Sequence, residues 1–312
     1  MISPFSGRGP LLLDGGLATA LEAKGFDLDD PLWSARLLIE APDAIREVHT
    51  DFLEAGADVI ATVSYQASLP GFAARGIGRE EGVRLLELAT RLAVEARDAF
   101  RAGVDDTSDR RRPLVAASVG PYGAYLADGS EYRGDYGVGR DELYDFHRAR
   151  WHLFAEGEAD LIACETIPSA LEAEVLLDLL GETHDAHAWI SFSCPDGRHI
   201  SDGARIADVA ARCDGTPNLV ALGVNCTKPR HIASLIGEIR STTDLPILVY
   251  PNAGEEYDAE TRSWVEVTDE GRGAAALPEL ARGWLEAGAS GVGGCCRVSA
   301  DDIRALDRVL RG

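Results

Sequence analysis

Near the end of the chain the stretch Gly-Val-Gly-Gly-Cys-Cys, residues 291–296, sets two thiols side by side. A third, Cys226, follows an asparagine at the end of another apolar run. Three cysteine thiolates on Zn²⁺, at about 2.3 Å each, leave one tetrahedral position open, the arrangement of a catalytic metal. Successive side chains of a regular strand point to opposite faces, so Cys295 and Cys296 reach one ion only where the chain has left strand geometry. Gly293 and Gly294 are expected to permit that turn through their conformational freedom. On the thiols alone, a strained vicinal disulfide in a redox sensor stands beside the metal reading. Cys164, Cys194 and Cys213 read as small apolar core residues, and the seven histidines show no metal-ligand spacing with one another.

Other polar groups also follow apolar runs. Asp14 ends "PLLLDGG", Ser64 and Gln66 end "ADVIATVSYQ", and Glu165 lies in "ADLIACET". Asn225 precedes Cys226 and is a candidate to orient the thiol loop through side-chain hydrogen bonds. Tyr65, Tyr122, Tyr125 and Tyr250 offer aromatic faces to a cation, with packing as the alternative.

These residues need a scaffold that gathers strand ends. Eight apolar runs rich in Val, Ile, Leu and Ala alternate with eight segments of helical periodicity, from "PDAIREVHTDFLEAG" to "SADDIRALDRVL". Continuous apolar character suits a strand covered on both faces by helices or core. The alternation predicts a (β/α)8 barrel, one domain over residues 1–312, with a doubly wound open sheet as runner-up. In a barrel the carboxyl ends of the strands form the active face, which is where the polar groups fall. Phrases such as "EAGADVI", "EGEADLI" and "EAGASGV" suit helix ends where glycine turns the chain. The long "YGAYLADGSEYRGDYGVG" stretch reads as a functional loop, and "RAGVDDTSDRRRP" as a solvated charged loop.

Composition narrows the partners. Hydrophobic residues make up 46% and charged residues 26% of the 312 positions, the balance of a soluble globular protein. A formal net charge of −22 disfavours nucleic acid and anionic membrane, and favours a small zwitterionic or cationic ligand. No signal peptide or run long enough to span a membrane is evident, so the expected location is the cytoplasm. Six cysteines are too few for a disulfide scaffold in such a chain. No oligomeric state is assigned.

The segments "LLLDGGLATALEAKG", "DPLWSARLLIEAPDAIREVHTDFLEAGADVIATVSYQAS", "SVGPYGAYLADGSEYRGDY", "LIACETIPS", "LGVNCTKP", "YPNAGEEYD" and "GVGGCCR" together resemble the homocysteine S-methyltransferase family. The similarity runs in order from about residue 10 to the end and is nearest to members using S-methylmethionine or S-adenosylmethionine. The resemblance implies a (β/α)8 barrel with Zn²⁺ on Cys226, Cys295 and Cys296. It also implies that Asp14 and Glu165 hold the α-amino group of homocysteine, with N–H groups near Gly15 and Gly16 on its carboxylate. Ser64 and Gln66 are expected to line the amino-acid pocket. The chain lacks the extensions of betaine- and cobalamin-dependent relatives, which makes betaine and methylfolate weaker donors. A module methylated by a separate corrinoid protein is the alternative enzyme reading, and a selenium analogue is a further possible acceptor.

Overall fold

The computed structural model describes residues 9–28, 36–104, 110–254, 256–258, 263–265 and 276–311. Its strands are β1 Leu11–Leu12, β2 Val59–Ala61, β3 Leu114–Val119, β4 Leu161–Ile167, β5 Ala188–Phe192, β6 Leu219–Asn225, β7 Ile247–Tyr250, β8 Glu256–Asp258, β9 Ser263–Val265 and β10 Gly291–Val292. Strands β8 and β9 form a separate antiparallel hairpin. The other eight make one sheet in the order β1-β10-β7-β6-β5-β4-β3-β2. A parallel bridge between Leu13 and Val59 joins its two ends into a barrel. The seam is held by Asp58 N–H on Leu12 O at 2.7 Å and Asp14 N–H on Val59 O at 3.0 Å. The barrel expected from the sequence is the one found; the open sheet is not.

The helices are α1 Leu17–Ala23, α2 Leu37–Glu40, α3 Pro42–Ala55, α4 Leu69–Ala74, α5 Arg79–Ala102, α6 Tyr122–Leu126, α7 Arg140–Ala155, α8 Ala170–Glu182, α9 Ile206–Cys213, α10 Pro229–Arg240, α11 Leu277–Glu286 and α12 Ala300–Arg311. The long ones are those expected from apolar periodicity. Short α1, α2, α4 and α6 were not, because a helix of one or two turns has too few positions to show a period. None of the described helices is long and apolar enough to cross a membrane.

Alternation along the strands sorts the core into two layers. Leu11, Leu13, Val59, Ala116, Leu161, Ala163, Trp189, Ala221, Leu248 and Tyr250 pack together inside the barrel. Their neighbours Leu12, Ile60, Val115, Ile162, Ile190, Leu222, Val249 and Val292 face the surrounding helices. Both faces are therefore dry, which is why the strands read as unbroken apolar runs. Cys164, Cys194 and Cys213 belong to the helix-facing layer. Burial there pushes the Cys213 thiol up to about 12 and the other two higher still, so all three stay protonated.

Helix ends follow the expected glycines in part. Gly56 after α3 has φ 119° and Gly288 after α11 has φ 113°, whereas Gly157 after α7 keeps a negative φ. The arginines of residues 110–112 are not simply solvated. The Arg110 guanidinium donates to Leu53 O and, at 3.3 Å, to Ala57 O, and covers the Phe100 ring. It adds a second donor to Leu53 O, which already accepts the Gly56 N–H at 3.1 Å, and ties the end of α3 to residue 57; residues 105–109 of this loop lie outside the described residues.

His49, on α3, is fully buried, and neither ring nitrogen has a hydrogen-bond partner among the described residues. Burial lowers its pKa from 6.5 to about 4. Between those values the unfolded chain takes up a proton that the native state refuses, so this site costs stability as pH falls, by at most about 3 kcal/mol. Urea unfolding of wild type and His49→Leu from pH 7 to pH 4 should show the variant's relative stability growing as pH drops. A difference independent of pH would mean that His49 takes up its proton as readily in the native state as in the unfolded chain.

Candidate active site

The three sulfurs of Cys226, Cys295 and Cys296 all lie within 4.8 Å of one another at the carboxyl ends of the strands. Cys226 Sγ and Cys296 Sγ are 3.7 Å apart. A tetrahedral ion with bonds of about 2.3 Å sets its sulfurs about 3.8 Å apart, so the donor set fits a thiophilic metal. All six cysteines are free thiols. Hydrogen bonds from Cys295 and Cys296, helped by Tyr132 and Asn252, pull the Cys226 thiol well below its usual range. The same crowding pushes Cys295 and Cys296 up. A bound cation would favour ionisation of all three.

Main-chain geometry brings the thiols together. Cys226 leaves β6 with φ 49°, a left-handed conformation, and its N–H donates to Tyr250 O at 3.3 Å. After β10, Gly293 N–H reaches Val249 O at 3.0 Å, Gly294 N–H reaches Asp14 O at 3.0 Å and Cys295 N–H reaches Pro251 O at 2.8 Å. The chain has left strand geometry before Cys295, as required. The reason for the glycines is different from the one expected: the positive φ belongs to Cys226 and Arg297, and neither Gly293 nor Gly294 has one. They are needed for space, since a Cβ on Gly293 would stand 2.7 Å from Leu13 Cβ and one on Gly294 2.1 Å from Val298 Cγ1.

Two carboxylates face the same mouth. Asp14 accepts the Ala61 N–H at 2.8 Å, and burial, with the charge of Glu165 nearby, raises its pKa well above normal. Burial pushes Glu165 up to about 7, against hydrogen bonds from Ser118 and Tyr250 and together with the charge of Cys226. Neither has a basic partner among the described residues. Two enclosed carboxylates without a countercharge make a receptor for a cationic group.

The local cause of Glu165's aim is a break in β4. The β4–β5 register shifts between Cys164 and Ile167, and Thr166 adopts φ 61°. Asn225 holds this bulge, accepting the Thr166 N–H at 2.7 Å and donating to Thr166 Oγ1 at 2.8 Å, with its amide 4.0 Å from Cys295 Sγ. Bulges beside active sites commonly redirect a side chain, and this one turns Glu165 into the mouth.

The other expected residues fall as follows. Ser64 is fully buried; it bonds Thr62 Oγ1 at 2.7 Å and donates to Ser118 O at 2.7 Å. These bonds tie the end of β2 to β3 beside Ser118, whose hydroxyl donates to Glu165. Gln66 donates to Ala124 O at 3.2 Å and so ties two loops together. The Gly16 N–H is already bonded to Val298 O at 2.9 Å, and a Cβ on Gly15 or Gly16 would collide with Val298 O or Cys295 O. Burial raises the pKa of both Tyr65 and Tyr250, with Glu131, Cys226 and Cys295 adding to it at Tyr65 and Glu165 and Cys295 at Tyr250. Tyr122 instead packs edge-on with Tyr125 and Phe146, and Tyr125 packs tilted against Phe146.

Sequence reasoning missed Ser118, Thr166 and Tyr132. Ser118 is a polar residue inside the apolar run "PLVAASVGP", which was a signal. Tyr132 lies in the long loop after β3, in a short turn Ser130–Tyr132, with its hydroxyl 3.3 Å from Cys226 Sγ. Nothing local in the sequence distinguishes it from the other tyrosines of that loop.

Fold and site define a (β/α)8 barrel with a three-thiol centre and a paired carboxylate receptor at its mouth. A model for the family described as homocysteine S-methyltransferase matches residues 11–310. The chain is 50% identical over 299 residues to "Homocysteine S-methyltransferase YbgG" of Bacillus subtilis, covering 95% of this chain and 93% of that protein. It is 46% identical over 310 residues to "Selenocysteine Se-methyltransferase" of Brassica oleracea var. italica, covering 97% and 89%. Among solved structures, the metallated form of the homocysteine methyltransferase MmuM from Escherichia coli superposes with a TM-score of 0.86 at 43% identity, covering 96% of each chain. The chain belongs to the homocysteine S-methyltransferase family.

The glycine packing is testable without substrate. Gly294→Ala should weaken Cd²⁺ binding, read from thiolate-to-metal absorption, by roughly tenfold or more. Gly237→Ala, whose added Cβ meets open space on α10, should leave that absorption titration unchanged. Equal affinities for all three proteins would show that the loop does not depend on this close approach.

Proposed function

We propose that this enzyme transfers a methyl group from a sulfonium donor, S-methylmethionine or S-adenosylmethionine, to the thiol of L-homocysteine, giving methionine. Zn²⁺ is the proposed ion, held by Cys226, Cys295 and Cys296. The observation that carries the reading is the convergence of three sulfurs within 4.8 Å near the buried Asp14 and the half-buried Glu165. Bound there, zinc supplies the positive charge that lets a thiol, ordinarily protonated at neutral pH, lose its proton, while three thiolate ligands keep the sulfur electron-rich.

The chain's own residues then do the placing. Asp14 and Glu165 take the α-ammonium group, and with the Gly16 N–H occupied by Val298, the Gly15 N–H is the nearer donor for the substrate carboxylate. Asn225 keeps Glu165 aimed through Thr166. Transfer forms a bond from the acceptor sulfur to the methyl carbon and breaks the bond to the donor sulfur, which leaves as a neutral thioether carrying the electron pair. The donor's charge vanishes along this path, so the acidic mouth helps to bind the donor more than to lower the barrier. Alignment of the two sulfurs with the methyl carbon is the main source of rate. A selenolate would suit the same site, in keeping with the selenocysteine-methylating relative. A reducing compartment such as the cytoplasm keeps the thiols available.

Zinc-loaded protein with homocysteine and S-methylmethionine alone should produce methionine steadily, and Cys295→Ala should lose both the zinc and the turnover. Sustained activity in a zinc-free protein would contradict the mechanism, and a need for an added corrinoid protein would contradict the donor. Replacing homocysteine by 4-mercaptobutanoate, which lacks the amino group, should lower kcat/KM by roughly a hundredfold or more, because Asp14 and Glu165 are then left without their cation.

A further inference from the structure

A second buried charged cluster lies behind the loop that carries Tyr132. His147 and Glu172 are 0% exposed and Arg150 is 2% exposed. Glu172 stands in the first turn of α8, three residues after the N-cap Ser169, where a Ser-x-x-Glu pattern ordinarily folds the carboxylate back onto the helix start. Here it serves the loop instead. Oε1 accepts the Tyr122 N–H at 2.6 Å and His147 Nε2 at 2.7 Å, and Oε2 accepts the Tyr136 hydroxyl at 2.8 Å.

The imidazole has only one tautomer consistent with its partners. A guanidinium can only donate, and Arg150 lies 3.0 Å from His147 Nδ1, so Nδ1 accepts and the proton on Nε2 points at Glu172. Arg150 also donates to Gly120 O and, at 3.3 Å, to Ala67 O, and stacks on the Phe146 ring. The cluster thus grips the loop after β2 and both ends of residues 122–136. Between those ends Tyr132 meets Cys226 at 3.3 Å, and Ser193 Oγ bonds Glu131 O at 3.0 Å. Enclosed charged groups are expensive unless they are paired, and here all but the Arg150 Nε have a hydrogen-bond partner among the described residues.

We propose that Glu172 is a positioning residue for methyl transfer, acting through residues 122–136 to hold the Tyr132 hydroxyl on the Cys226 sulfur. A hydroxyl fixed there sets the orientation of that sulfur and draws electron density from it, as hydrogen bonds to metal ligands do. The proposal rests on the assignment of Cys226 to the reactive centre.

The test compares wild type, Tyr132→Phe, Glu172→Gln, Tyr136→Phe and the double variants combining Tyr132→Phe with each of the other two. Each full-length protein is assayed with zinc for kcat/KM, and with Co²⁺ in place of zinc for thiolate-to-cobalt absorption. Glu172→Gln should lower kcat/KM roughly tenfold to a hundredfold, with a smaller loss in Tyr136→Phe. Both should move the cobalt band in the direction Tyr132→Phe moves it. In the Tyr132→Phe background, adding either change should cost less than about twofold further, because residues acting through one contact are not additive. Additive losses, an unmoved cobalt band or unchanged kcat/KM would overturn the proposal. Should Glu172→Gln fail to fold, Tyr136→Phe and its double variant decide the matter on the same readouts. Wild-type protein that binds neither ion would overturn the thiol-centre assignment and, with it, this proposal.

Discussion

Both thiol-bearing loops are tied to the short segment that follows β7. Cys226 N–H bonds Tyr250 O at 3.3 Å, Cys295 N–H bonds Pro251 O at 2.8 Å, Asn252 N–H bonds Thr227 O at 3.1 Å and Ala253 N–H bonds Cys296 O at 3.1 Å. Because β7 lies between β6 and β10 in the sheet, it is the template on which residues seventy positions apart meet. Ring closure at Leu13 and Val59 then adds the first loop, with Gly294 N–H on Asp14 O completing the circuit. Without these backbone bonds the sulfurs would be ordinary strand-end residues.

That convergence creates an electrostatic debt. Burial raises the cost of ionising Asp14 and Glu165, Glu165 adds to it at Asp14, Cys226 adds to it at Glu165, and Cys226 holds Cys295 and Cys296 protonated more firmly. On the proposed reading, cations would relieve that cost: a metal among the sulfurs, the substrate ammonium at the carboxylates and a cationic donor nearby. Substrate chemistry and the fixed charges are thus complementary, and the strongly negative chain as a whole extends the same preference outward. The hydrogen bonds from Ser118, Tyr250 and Ala61 set the geometry of the carboxylates without neutralising them.

The fold was legible because it is written in repeated, long-period signals: unbroken apolar strands and amphipathic helices such as α3, α5 and α10. Cys226, Cys295, Cys296, Asp14 and Glu165 were legible because strand-end polar residues on a barrel converge on one face. What the sequence concealed depends on contacts between distant segments. The bulge at Thr166 is imposed by Asn225, fifty-nine residues away, and has no local signature. The bond from Ser64 to Ser118 O spans fifty-four residues and likewise has no local signature. The diglycine was noticed for the wrong reason, since crowding by Leu13 and Val298 is a tertiary fact whereas flexibility is a local one. The ion-paired setting of His147, fully buried against Glu172, is likewise something apolar periodicity cannot reveal.

The central claim is that three cysteine sulfurs hold zinc while leaving one position for the sulfur of homocysteine. Zinc-edge X-ray absorption on the full chain, before and after homocysteine is added, tests it directly. The account predicts three sulfur neighbours at about 2.3 Å with one lighter neighbour at rest, and four sulfurs once homocysteine is bound. A first shell with fewer than three sulfurs, or one that homocysteine leaves unchanged, would contradict it.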